Sequence, residues 1–270
     1  MKEIEHNLKI KSLKICIVTY NHTFEIIKKN IDSILNQNIL CSIFLVDHSP
    51  INYLEQNLNQ YYKGQVQYFN RSDFNHGYGA GNNFAFKQIP VSEYFLVLNP
   101  DIVFQKNVLK TLITEIEKDE NIGLIFPKVC NEDGSIQFNI KRHPTLLALI
   151  GRRFSFLSRF SLIKKAMESY EFIDFDYSKS STVDFVGGCI MLLRTKAFQE
   201  VNGFDEKYFM YFEDYDLCCN IRNKGYKIAY NSDVTIIHAW NRGSHKSLKL
   251  FQIFTTSMLR FFWKWGLKWF

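Results

Sequence analysis

A chain of 270 residues with 46% hydrophobic content carries enough apolar surface for a packed core in one large or two small domains. Its 25 Phe, 14 Tyr and 4 Trp exclude global disorder, and no apolar run reaches the roughly 18 residues of a spanning helix. The formal charge of +6 is unevenly spread: seven Lys/Arg and no acid lie between Lys141 and Lys165, six more and no acid between Arg242 and Phe270, and the rest is net −7. An acidic body bearing two basic, aromatic segments is not the profile of a general nucleic-acid binder and points to a membrane as the anionic partner. The first residues, MKEIEHNLKIKSLK, lack the apolar stretch of a signal peptide, so a cytoplasmic compartment is expected. None of the six cysteines forms a C-x-x-C pair, and buried, reduced thiols are expected.

The first half alternates apolar runs with amphipathic segments. Strands are expected at Lys14 to Tyr20, Ser42 to Asp47, Val66 to Phe69 and Tyr94 to Leu98. Helices are expected through Ile26 to Leu35, through Leu54 and Leu58, after the glycine-rich stretch His76 to Asn83, and from about Asn107 to Lys118. This alternation reads as βαβ units around a mainly parallel sheet with flanking helices, an α/β fold. In the second half, Gly123 to Val129 reads as a strand and Asn131 to Gly134 as a hairpin turn. Val183 to Arg194 reads as one strand kinked at its glycines, followed by a helix from about Glu213 to Lys224 and strands at Lys227 to Tyr230 and Val234 to His238. A single domain is expected over 1–245, in two parts at about 14–120 and about 121–245, with an amphipathic tail at 246–270.

Ligands of open parallel sheets bind where the carboxyl ends of the strands converge. Polar residues stand at four such ends: Thr19, Tyr20 and Asn21; Asp47; the loop NHGYGAGNN with Gly77, Gly79 and Gly81; and Asn99-Pro100-Asp101. The glycines permit close backbone approach, and the helix after them offers free N–H groups to a phosphate. Their spacing is neither G-x-G-x-x-G nor a P-loop. Asp101 is placed to hold a divalent cation, and His238, ending another apolar strand, is a candidate second ligand. At the start of the helix in FMYFEDYDL, a turn of 100° per residue puts Asp214 on the face of Leu217, Cys218 and Ile221. Asp216 falls on nearly the opposite side and Glu213 to one flank, where both read as compensation of the helix dipole. Asp214 reads as a catalytic carboxylate.

In this order the motifs TYN, VDHSP, NHGYGAGNN, LNPD, DFVGGCIMLLR, GFDEKYFMYFEDYDLC and the late His resemble the family 2 glycosyltransferases of GT-A fold, and within them the bacterial rhamnosyltransferases of O-antigen and cell-wall synthesis. The resemblance spans about Ile15 to His238. It implies that Asp47 contacts the nucleotide base and that Thr19, Tyr20, Asn21, Gly77, Tyr78, Gly79, Gly81, Asn82 and Asn99 frame the donor. It implies Asp214 as catalytic base, and Asp101 with His238 as ligands of Mg²⁺ or Mn²⁺, the family's D-x-D being reduced to Asn-Pro-Asp here. Gly187, Gly188, Glu213 and Trp240 are expected on the acceptor side. The implied reaction is inverting transfer of a sugar, foremost L-rhamnose from dTDP-rhamnose, to a saccharide on a polyprenyl diphosphate at the inner face of the cell membrane. A UDP-hexose or UDP-galactofuranose donor, or a non-catalytic nucleotide-sugar-binding protein of assembly, are the alternatives. The two basic aromatic segments are expected to meet the membrane surface.

Overall fold

In the computed structural model, which describes residues 12–73, 75–88, 92–239 and 248–270, the β-branched run Leu13–Thr19 forms β1 and is buried along nearly its whole length. Helix α1 (Phe24–Leu35) covers the sheet through Ile27, Ile31 and Ile34, spaced by four and three residues. Strand β2 (Cys41–Asp47), α2 (Glu55–Tyr62), β3 (Val66–Asn70), α3 (Tyr78–Gln88) and β4 (Tyr94–Leu98) follow. Strands β3, β2, β1 and β4 lie side by side and parallel, with Thr19 opposite Asp47 and Asp47 opposite Asn70.

Next come β5 (Ile102–Phe104), α4 (Val108–Glu117), β6 (Ile122–Cys130) and the two-residue β7 (Ile140–Lys141). A helical hairpin is built from α5 (Leu146–Arg153), a 3-10 turn at Ser155–Arg159 and α6 (Ser161–Glu171). The expected strand Val183 to Arg194 is instead three pieces: β8 (Ser181–Val183), β9 (Phe185–Val186) and β10 (Ile190–Arg194). They part because each meets a different neighbour: β8 pairs with the late strand β11 (Lys227–His238), β9 with β7, and β10 with β4 and β6. Between β10 and β11 lie α7 (Thr195–Glu200) and α8 (Glu213–Asn223), and the chain ends with α9 (Leu248–Trp265). The two expected late strands are one, β11, with an irregular register between Asn231 and Thr235.

The nine-stranded sheet runs β3-β2-β1-β4-β10-β6-β11-β5, with β8 on β11. It is mixed rather than all parallel. Strand β10 is antiparallel to both its neighbours, and β11 is parallel to β6 but antiparallel to β5. That reversal decides where the chemistry gathers. The start of β10 lies beside the end of β4, with Ile190 opposite Leu98, so Gly187 and Gly188 arrive at the edge that carries Thr19, Asp47 and Asn99. His238, at the end of β11, pairs with Ile102 just after Asp101. All six cysteines are free thiols, and five are buried.

Candidate active site

Thr19 and Asp47 are buried at neighbouring strand ends. Thr19 Oγ1 lies 2.9 Å from His22 Nδ1. Asn21, at φ +57°, sends its N–H to Ser49 Oγ at 2.7 Å. The Asp47 carboxylate is fully covered. Its Oδ1 accepts the Ser49 N–H and its Oδ2 the Tyr68 hydroxyl, each at 2.9 Å. Tyr20 is half exposed at the rim.

The expected glycine loop is largely helix: Gly77 precedes α3, while Gly79 and Gly81 lie in its first turn, and the packing there is tight for identifiable reasons. Gly77 sits at φ +95°, and a Cβ there would stand 1.8 Å from the Phe209 carbonyl oxygen. A Cβ on Gly79 would come within 2.8 Å of the Phe204 side chain, and one on Gly81 within 2.9 Å of Val18. Gly77 and the first turn of α3 thus press on β1 and on the segment preceding α8. Tyr78 ties both sides: its N–H donates to Phe209 O at 3.2 Å and its hydroxyl to Gly188 O at 2.9 Å. Asn82 donates to Tyr78 O and leaves Oδ1 buried with no partner among the described residues.

Asn99 is fixed by its backbone. Its N–H donates to Cys189 O at 2.8 Å, and its carbonyl accepts from Asn30 Nδ2 at 3.2 Å. Asn30 also donates to Ile102 O, Ser33 Oγ accepts from Phe104 N–H, and Gln37 clasps Gln105 O and the Leu109 N–H. Asn30 and Ser33 on the buried face of α1, with Gln37 just past its end, therefore hold the Asn99–Leu109 segment. Sequence reasoning missed them, although their periodicity within an apolar face was the signal. It also missed His22, whose pKa is lowered by burial while Asp101 and Asp47 pull the other way.

His238 Nε2 lies 3.3 Å from Asp101 Oδ1, and both atoms are buried without a hydrogen-bond partner among the described residues. Gln137 explains the arrangement. Its Nε2 donates to His238 O at 2.8 Å and Asn131 Oδ1 at 2.7 Å, which turns its Oε1 toward His238 Nδ1 at 2.9 Å. A proton is thereby assigned to Nδ1, and the tautomer that carries its only proton there turns the Nε2 lone pair toward a carboxylate oxygen. Two acceptors held face to face in a covered space fit a divalent cation between or beside them. Among the described residues no third His, Cys, Asp or Glu joins them, so further ligands have to come from substrate or water.

Helix α8 begins after Tyr211 and Phe212, both left-handed at φ +69° and +67°. Such residues cost about 1–3 kcal/mol each, and the strain aims the first turn. Asp214 is partly exposed. Its Oδ2 accepts the Gly188 N–H at 2.9 Å and its Oδ1 the Tyr215 N–H at 2.8 Å. Glu213 is buried, with Oε2 unpartnered among the described residues. Burial raises the pKa of both carboxyls. Repulsion by Asp214 adds to the rise at Glu213, while the N–H groups of Tyr215 and Gly188 restrain it at Asp214. Glu213 therefore keeps its proton to higher pH, and Asp214, the more accessible member, ionises first as pH rises.

Asp216 corrects the helical-wheel reading. It is fully buried rather than solvent-facing. Lys264 Nζ approaches it at 2.8 Å, and it accepts from Trp265 Nε1 at 2.7 Å and Asn220 Nδ2 at 2.9 Å. The wheel could not anticipate α9 covering that side of α8. The structure thus gathers Thr19, Asp47, the glycine loop, Asn99, Asp101, His238, Gly187, Gly188, Glu213 and Asp214 along one sheet edge. Trp240 lies outside the described residues.

A family model described as glycosyl transferase family 2 matches residues 14–201, and the chain belongs to that family. A second model, the N-terminal domain of galactosyltransferase, matches residues 169–242. Rhamnosyltransferase WbbL of Escherichia coli (strain K12) is 30% identical over 247 residues, covering 88% of this chain and 86% of that protein. The N-acetylglucosaminyl-diphospho-decaprenol L-rhamnosyltransferase of Mycobacterium tuberculosis is 26% identical over 174 residues, 61% of this chain and 56% of that one. Among solved structures, GalNAc-T7 with UDP, GalNAc and Mn²⁺ matches 88% of this chain with a TM-score of 0.67 at 14% identity; the match spans 44% of that chain. The mannosyltransferase PcManGT from Pyrobaculum calidifontis, in complex with GDP-Man and Mn²⁺, matches 86% of this chain and 58% of its own with a TM-score of 0.56 at 14% identity. The fold is GT-A, as the sequence motifs imply.

Proposed function

We propose that the protein is an inverting sugar transferase that moves L-rhamnose from dTDP-rhamnose to a saccharide carried on a polyprenyl diphosphate, in surface polysaccharide synthesis at the cytoplasmic face of the membrane. The observation that carries the reading is Asp214: an ionisable carboxylate, held by the Gly188 and Tyr215 N–H groups, where the nucleotide half meets the acceptor half through Tyr78. The sugar and the lipid-linked acceptor follow the two rhamnosyltransferase relatives.

Asp214 takes the proton of the acceptor hydroxyl as its oxygen bonds to the anomeric carbon from the face opposite the nucleotide. The bond from that carbon to the diphosphate oxygen breaks, and the nucleoside diphosphate leaves with the electron pair. The residues at strand ends, Thr19 to Asn21, Asp47 and Asn99, together with Gly77 and the start of α3 through Asn82, frame the donor, whose diphosphate faces the N-terminus of α3. Gly187, Gly188 and Glu213 border the acceptor. Asp101 and His238 would hold Mg²⁺ or Mn²⁺, which when bound supplies positive charge for the departing diphosphate. Division of the chain into a nucleotide half at about 14–120 and an acceptor half at about 121–245 belongs to the same reading. Thermal-shift titration with dTDP-, UDP- and GDP-sugars tests it, followed by transfer to a synthetic polyprenyl-diphosphate saccharide. Stabilisation by dTDP-rhamnose and transfer with inversion support it; stabilisation by a UDP-sugar alone replaces the donor.

A further inference from the structure

The two basic aromatic segments, a hundred residues apart in sequence, meet in the fold. The N–H groups of Leu146 and Leu147, opening α5, donate to Lys268 O and Trp269 O after α9. At the other end of α5 the Arg153 guanidinium sits 4.7 Å from the Phe251 ring centroid near the start of α9. The start of α5 therefore meets the chain just past α9, and the end of α5 meets the start of α9, with the 3-10 turn and α6 adjoining α5.

This region carries apolar side chains that the core does not take up. Phe154, Phe156, Phe160 and Leu162 are 45–61% exposed, and Trp263 and Trp269 are 89% and 65% exposed. Arg159 stands between two of the exposed rings, 5.9 Å from Phe156 and 5.1 Å from Phe160. The acids of α6, Glu168 and Glu171, face Lys164 and Arg152, while Arg153, Arg159 and Lys165 have no acidic partner among the described residues. Exposed aromatic rings interleaved with uncompensated cations suit the headgroup layer of an anionic bilayer: rings at the acyl boundary, guanidinium and ammonium groups at the phosphates. No helix among the described residues is long and apolar enough to cross a membrane.

We infer that the α5–α6 hairpin and α9 form one docking face for anionic phospholipid, and that this face is rigidly joined to the catalytic helix. The join is Asp216, two residues past Asp214, which binds Lys264 and Trp265 of α9. Ser257 Oγ adds a bond to Met210 O, and Phe261 packs on Phe212 and Tyr215. Docking of this face sets the height and tilt of Asp214 above the lipid, where a lipid-linked saccharide presents its hydroxyl. This last step rests on the proposed acceptor; the docking itself does not.

Co-sedimentation of the full chain with phosphatidylcholine vesicles, with and without phosphatidylglycerol, tests the inference. The wild type is expected to prefer the anionic vesicles. A Phe156→Ser/Phe160→Ser/Trp263→Ser variant is expected to bind them at least about tenfold more weakly, with its unfolding midpoint and nucleotide-sugar thermal shift retained. Arg159→Gln/Lys165→Gln is expected to lose the preference for phosphatidylglycerol. Equal sedimentation of wild type and triple variant overturns the face. So does a triple variant that dissolves a dimer in sedimentation velocity without losing vesicle binding, which would assign the surface to a second copy. Vesicle binding with no thermal shift by any nucleotide sugar leaves the face standing and refutes the enzyme reading instead.

Discussion

His238 Nε2 and Asp101 Oδ1 face each other at 3.3 Å with no hydrogen bond assigned between them, while Gln137 Oε1 engages the far ring nitrogen, Nδ1, at 2.9 Å. Removing Gln137 frees the ring to change tautomer and pair with Asp101. Gln137→Leu is expected to weaken Mn²⁺ binding by about 10–100-fold, the usual size of such an orienting effect. Titration of free Mn²⁺ by electron paramagnetic resonance, with dTDP present, measures it. Undiminished affinity would remove Gln137 from the site.

Asp214→Asn keeps the shape and removes the proposed base. Transfer is expected to fall by about 10²–10⁴-fold, the contribution of a positioned general base, while nucleotide-sugar affinity in a thermal-shift titration stays near that of the wild type. A variant with wild-type turnover would reassign the base.

The rate also carries a pH signature. As the proposed base, Asp214 must be ionised to act, and burial raises its pKa from 3.8. Activity is therefore expected to rise with pH through a limb lying above the ordinary aspartate value. Glu213 still holds its proton in that range, so Glu213→Gln should leave the limb in place. A limb that moves down by a pH unit in this variant would mean that Glu213 is charged when Asp214 titrates.

Stability responds to the same pair in the other direction. The folded protein binds the Glu213 proton more tightly than the unfolded chain does, whose glutamate titrates near 4.5. The resulting stabilisation is complete below that value and is lost as pH rises through the raised folded pKa. Glu213→Gln removes the dependence, so its unfolding midpoint is expected to gain on the wild type as pH rises from acid to neutral and beyond. Parallel curves across that range would contradict the assignment.

Asp216→Ala removes the shared partner of Lys264, Trp265 and Asn220. Loss of a buried, paired carboxylate of this kind costs on the order of 3 kcal/mol. Urea denaturation is expected to show that loss, and limited proteolysis to show earlier cleavage within α9. A change below about 0.5 kcal/mol, the scale of a surface substitution, would show that Asp216 does not anchor the helix.

Much of this molecule is written locally. The alternation through Leu98 gives β1, α1, β2, α2, β3 and β4 within a few residues, because each is a run with its own periodicity. The polar strand ends that gather at the sheet edge could be named for the same reason. What escaped depends on partners distant in sequence. Val183 to Arg194 parts into three strands because β11, β7 and β4 each claim a piece, and no pattern within twelve residues encodes that. Asp216 is buried because α9 lies over it, about fifty residues later. Gln137 looks like any loop amide until β11 brings His238 beside it. Its function is a property of the fold rather than of its neighbours in the chain.

Tyr78 reaches Phe209 with its backbone and Gly188 with its hydroxyl, while Gly77 leaves no room for even one added carbon against the Phe209 carbonyl. The start of α3 and the segments around Gly188 and Phe209 are thus interlocked parts rather than exchangeable modules. A chimera that borrowed a relative's first hundred residues to change the donor would carry a foreign loop into a seat shaped by Phe204, Phe209 and Gly188. Retargeting the sugar by recombination therefore calls for moving that seat together with the loop, as a discontinuous block.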